Sequence, residues 1–125
     1  MARFHHMNAY IDHLKVNGTE YEVFTSYDTI ISVYRPSDRL MWVGPYYRCS
    51  ASTRRQFGRY LSECHGTYYG DVRDALEDIE PETGETMPLD DLTIAYGPDY
   101  IVPGVFDFNR AAYGLWVLSR PYSGV

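Results

Sequence analysis

A β-branched run followed closely by a helical stripe most constrains what this chain can fold into. Residues 29–34 (TIISVY) have the composition of a strand that crosses a core. Arg35-Pro36-Ser37-Asp38 supplies turn chemistry, with Pro36 presetting φ. Residues 40–43 (LMWV) return as a second strand, which Gly44-Pro45 stops. After a connector bearing Tyr46 and Tyr47, the residues Phe57, Tyr60, Leu61 and Cys64 recur at i, i+3, i+4 and i+7, one apolar stripe on a helix. Ser50 or Ser52 is placed to cap its start, and Gly66 to end it. A chain that holds both patterns is neither all-α nor all-β, and residues 26–63 organise what surrounds them.

Upstream, residues 10–16 (YIDHLKV) and 20–24 (EYEVF) flank Asn17-Gly18, a strong hairpin signal. With the two strands above they predict a four-stranded antiparallel meander. Downstream, Val72, Ala75, Leu76 and Ile79 repeat the helical spacing, so a second amphipathic helix is expected over residues 71–79. Residues 81–88 (PETGETMP) read as a breaker-rich loop and residues 92–96 (LTIAY) as a fifth strand. Gly97-Pro98 and Pro103-Gly104 divide the next stretch into short extended pieces. Residues 111–118 alternate Tyr113, Leu115 and Val117 and lean to a strand. The expected fold class is therefore α+β: an antiparallel sheet of about four to six strands, with one or two amphipathic helices packed on one face.

A length of 125 residues supports a single domain, residues 1–125, with a modest core. Its hydrophobic content of 45% and charged content of 22% are those of a globular chain. No apolar run is long enough for a membrane helix and the N-terminal residues do not read as a secretory signal, so a cytoplasmic protein is expected. Cys49 and Cys64 are read as free thiols, Cys64 facing the core on the stripe. Neither a zinc-ligand spacing nor a cofactor motif occurs, so no metal and no cofactor is expected. Catalytic motifs are likewise missing, and Cys64-His65 is no dyad, because neighbouring residues on a helix diverge by about 100°. The sequence reads as that of a non-enzymatic protein.

Charge separates along the chain. Arg35, Arg39, Arg48, Arg54, Arg55 and Arg59 stand against Asp38 alone between residues 35 and 59, whereas residues 71–91 hold nine acids against Arg73. Asp71, Asp74, Glu77 and Asp78 lie off the second helix's apolar stripe and form a candidate acidic surface for a basic groove on a protein partner. Thirteen tyrosines are unusual for this length, and Tyr46-Tyr47 and Tyr68-Tyr69 flank the first helix as candidate aromatic contacts. Arg54, Arg55 and Arg59 offer an alternative, a nucleic-acid contact through planar guanidinium groups. A net charge of −6 weighs against nucleic acid as the main ligand.

The stretch 26–63 also resembles a small uncharacterised domain family of bacteriophage, prophage and plasmid proteins. Its pattern is Ser-Tyr-x-Thr opening a strand, then a helix reading Ser-x-Thr-Thr-x-x-His-x-x-x-Phe-Leu-x-Glu. Here the corresponding residues are Ser26-Tyr27-Asp28-Thr29 and the run from Ser50 through Thr53, Gln56, Tyr60 and Leu61 to Glu63. Gln56 stands where the family has His, so no acid–base or metal role carries over. The resemblance covers about a third of the chain and implies a mobile-element origin. Small acidic phage proteins often block a host defence or nucleic-acid-processing complex, the anti-CRISPR proteins among them, and an inhibitor of that type is the functional expectation, with a host protein or ribonucleoprotein complex as partner.

Overall fold

The computed structural model describes residues 2–16, 18–27, 29–80 and 85–96. Among the described residues, seven strands and two helices follow one another as β1 (Ala2–Arg3), β2 (Ala9–Val16), β3 (Thr19–Ser26), β4 (Thr29–Arg35), β5 (Leu40–Val43), α1 (Ala51–His65), α2 (Tyr69–Asp78), β6 (Thr86–Leu89) and β7 (Leu92–Tyr96). They build one α+β sheet in the order β1-β2-β3-β4-β5-β7-β6. The expected meander is β2 to β5, each strand antiparallel to the next. The sheet is mostly antiparallel, as expected, and departs from that pattern where β7 pairs in parallel with β5, Met41 opposite Ile94. The reason is the connection: α1 and α2 lead into β6, which runs opposite to β5, and the turn after β6 then starts β7 in the direction of β5.

Two strands lie where none was read. β1 is a two-residue edge piece on Tyr10 and Ile11. β6 occupies the second half of the breaker-rich stretch and pairs antiparallel with β7, Pro88 opposite Thr93. Pro88 lacks a backbone donor, which an edge strand tolerates. Asp90, at φ 54°, makes the tight turn between β6 and β7. Asn17, Asp28, residues 81–84, the Gly97-Pro98 and Pro103-Gly104 breaks and the strand read over 111–118 lie outside the described residues.

Both helices pack on one face of the sheet. Phe24 and Ile31 from the meander, Val43 and Ile94 from the parallel pair, and Phe57, Tyr60, Leu61, Val72 and Leu76 from the helices form one core. Its centre is aromatic: the Phe24 ring stacks on Tyr60 at 4.4 Å, and Phe4 meets both rings edge-on. A register shift in β4 opposite Phe24 leaves Ile31 and Ser32 both against that residue.

Ser50 caps α1, its Oγ accepting from the Thr53 amide at 3.1 Å. Gly66 ends the helix in the left-handed region, φ 61°, and its N–H returns to the last turn. The buried stripe of α1 is Thr53, Gln56, Phe57, Tyr60 and Leu61. Two polar members are matched inside. The Ser26 hydroxyl donates to Gln56 Oε1 at 2.6 Å and lies 3.0 Å from Thr53 Oγ1, to which Ser50 Oγ donates in turn. Hydroxyls thus pin the N-terminal half of α1 to the end of β3. α2 begins at Tyr69, two residues before the expected start at residue 71, and ends with Ile79 as C-cap.

Candidate partner-binding surfaces and a buried polar cluster

The face of α2 turned from the core carries Asp71, Asp74, Glu77 and Asp78, all exposed. Val72, Ala75 and Leu76 hold the opposite side against the sheet, which is why the acids point outward. Two of the four are partly neutralised: Asp74 lies 3.2 Å from Arg73, and Glu77 lies 3.8 Å from Arg48 of the β5–α1 connector. Asp71 and Asp78 make no ion pair among the described residues. Asp71 sits in the first turn, where the helix dipole favours a negative charge.

Each tyrosine pair splits into an outer and an inner ring. Tyr68 is 72% exposed and Tyr46 40%. Tyr47 is a core residue, 1% exposed, with its ring edge-on to Tyr96 at 6.1 Å. Tyr69 is half-buried against Phe57, and its hydroxyl is enclosed without a hydrogen-bond partner among the described residues. Tyr47 is therefore corrected from a contact residue to a structural one, because successive residues of the connector turn to opposite sides. Tyr68 stands directly before α2, so its exposed ring adjoins the acidic face. It also covers Gly70, where an added Cβ would lie 2.6 Å from the Tyr68 ring.

The arginines of α1 are exposed as expected, but not equally available. Arg59 donates through Nε to Glu63 at 2.9 Å, one helical turn on, and His5 Nε2 reaches the other oxygen of Glu63 at 2.8 Å. Hydrogen bonds from His5 and Arg59 hold the Glu63 carboxyl below its ordinary range. Arg54 donates to the Arg48 carbonyl at 3.3 Å. Arg55 makes no ion pair among the described residues.

A buried polar cluster forms where α1 ends, from residues too far apart in sequence to be read together. Glu22 lies on the same side of β3 as Phe24, facing α1. Its Oε1 accepts a hydrogen bond from the Tyr60 hydroxyl and another from His65 Nε2 at 3.0 Å, and its Oε2 lies 3.4 Å from His13. Burial alone would raise the Glu22 carboxyl; the His65 and Tyr60 hydrogen bonds and the two imidazoles outweigh it, and the net shift is downward. Burial, reinforced by Glu22, pushes the Tyr60 phenol well above its usual value. His65 is thus the inward member of the Cys64-His65 pair, and Cys64 is exposed. That overturns the reading of Cys64 as a core residue: the stripe reaches the helix's last turn, where Glu22 draws the imidazole inward and the thiol faces out. Burial, with Glu22 and Glu63 nearby, raises the Cys64 thiol. Both cysteines are free.

Of this cluster the sequence offered one signal, a carboxylate sharing the strand face of Phe24. Among the described residues, no group of three or more His, Cys, Asp and Glu side chains is placed to hold a metal ion. Among them, too, no helix is long and apolar enough to cross a membrane. Comparison with known proteins returns no matching family model, no matching curated protein and no matching solved structure.

Proposed function

We propose that this chain is a non-catalytic interaction protein that engages a basic groove on a protein or ribonucleoprotein partner through the outer face of α2, with Tyr68 as the aromatic anchor at its head. The observation that carries this reading is the juxtaposition of four exposed carboxylates with a tyrosine that is 72% exposed. Rigid aromatic side chains dominate contact energies, while surrounding charges steer and align the partner. The tyrosine supplies the first element and α2 the second. The resemblance of residues 26–63 to phage and plasmid domains supports a mobile-element origin, and with it the role of an inhibitor acting on a host defence or nucleic-acid-processing complex inside the cell.

The nucleic-acid reading has weaker support. Arg59 is engaged by Glu63, and the net charge of −6 opposes a phosphate backbone. The discriminating experiment is capture of partners from host lysate by the parent protein and by Asp74→Lys with Asp78→Lys. Reversal of two exposed charges should weaken capture at least about tenfold, or about 1.4 kcal/mol, and Tyr68→Ala should weaken it independently. Equal capture by all three proteins would discard the α2 face. Salt-sensitive binding of the parent to a generic duplex, abolished by Arg54→Glu with Arg55→Glu, would establish the alternative.

A further inference from the structure

The outer edge of β2 is longer than the strand that covers it. The Asn8 carbonyl accepts from the Tyr27 amide, just after β3, whereas the Ala9 carbonyl accepts from the Phe4 amide, just after β1, each at 2.7 Å. Backbone groups of successive residues alternate between the two sides of an antiparallel strand, and the β2–β3 register runs unbroken from Ala9 to Val16. Ala9, Ile11, His13 and Lys15 therefore turn their N–H and C=O groups away from β3. β1 reaches only as far as Ala2, opposite Ile11. Past that point, over residues 12–16 or about 17 Å of strand, the main-chain groups of His13 and Lys15 have no strand partner among the described residues.

Two concavities flank this edge. The larger, about 580 Å³, lies towards the end of α1, where Phe4, Ile11 and Cys64 line it together with His5, His13 and Glu63. The smaller, about 380 Å³, lies towards the β2–β3 turn, against Leu14, Lys15, Tyr21 and Pro36. His13 borders both. Charges along the edge already face opposite ones: His5 lies 2.8 Å from Glu63, His13 3.4 Å from Glu22, and Lys15 is the register partner of Glu20. Such an edge recognises a strand through its backbone and its alternate side chains rather than through its charge. A second copy fits poorly. The self-pairing that uses both free residues, centred on Leu14, sets Lys15 of one copy against His13 of the other, and so short an overlap buries far less than the roughly 1,200 Å² of a stable interface. We propose that this edge of β2 receives an extended segment of a protein partner, which adds as a strand at His13 and Lys15 and places an apolar side chain in the larger concavity, beside Phe4 and Ile11. The surface is separate from the acidic face of α2, a helix that packs on β6 and β7 at the opposite border of the sheet.

The probe is a library of short random peptides selected for binding to the full chain. Selected peptides should share an apolar residue at a fixed position. When they bind, hydrogen exchange of the His13 and Lys15 amides, followed by NMR, should slow at least about tenfold. The Asp12 and Leu14 amides, which face β3, should keep their rates. A second measurement replaces the Lys15 N–H by an ester oxygen, which leaves the side chain in place and removes no bond to β3. It should weaken the selected peptides at least about fivefold and leave the melting curve unchanged. An absence of binders, binders that protect other amides, or equal affinity of the ester form would overturn the proposal. So would slow exchange of both amides in the chain without peptide: protection that grows with protein concentration would assign the edge to a second copy, and protection independent of it would show the edge covered within one chain.

Discussion

Glu22 is the residue at which burial and hydrogen bonding compete most directly. Its carboxyl titrates lower in the folded chain than in the unfolded one, so the unfolded state binds its proton more tightly. The stabilisation it gives is therefore complete above the ordinary carboxylate value, and it is lost as pH falls through the lowered native value. Glu22→Gln should flatten the acid limb of stability, and denaturant midpoints of parent and variant should converge as pH falls from about 6 to about 3. Parallel curves would show that Glu22 does not titrate with folding. Tyr60→Phe removes one of its donors at a buried site and should cost about 1–3 kcal/mol by urea unfolding. Cys64 tests the same corner from outside. Intact mass should not change on reduction, and native alkylation of Cys64 should go to completion without denaturant. Its rate should still be climbing above about pH 8.5, where an ordinary thiol is half ionised. This corner was hidden because Glu22, Tyr60 and His65 belong to elements far apart in the chain. The helical wheel separates Cys64 from His65, but only the carboxylate across the gap decides which turns inward.

The helices were legible because their signals are local. Ser50, the stripe through Phe57, Tyr60 and Leu61, and Gly66 mark α1 without reference to anything else. The sheet was legible only in part: β2 to β5 are joined by short turns, whereas β6 carries Pro88 and shows only alternate half-burial, and a two-residue edge such as β1 leaves no pattern. Two glycines of the α1 region should respond in opposite ways to the same change. Gly58 lies inside the helix, and an added Cβ would meet Tyr69 Cβ at an ordinary 3.7 Å. Gly58→Ala should stabilise by up to about 1 kcal/mol through helix propensity. Gly66 has open space around it but a φ of 61°, so Gly66→Ala should destabilise by about 1–2 kcal/mol through the left-handed backbone alone. Thermal melts of the two variants should move in opposite directions by several degrees. A shift of the same sign in both would refute the conformational argument.

For the molecule as a whole, the antiparallel meander and the acidic outer face of α2 follow from pattern. The parallel pairing of β5 with β7 does not, because strand order across a helical connection is set by packing rather than by any residue in either strand. That pairing divides the molecule by the time at which its parts assemble. β2 to β5 close through turns of a few residues, whereas Met41 must wait for Ile94 until α1 and α2 are in place, and closing so long a loop costs entropy before any contact rewards it. The meander and the aromatic centre on Phe24 should therefore be formed in the folding transition state, with β6 and β7 joining afterwards. In stopped-flow measurements Phe24→Leu should slow folding, and Ile94→Ala should leave the folding rate nearly unchanged while speeding unfolding. A nascent chain released before β7 would then hold an organised meander whose β5 edge is still unpaired, the state in which a strand from another chain competes most directly for the place of β7.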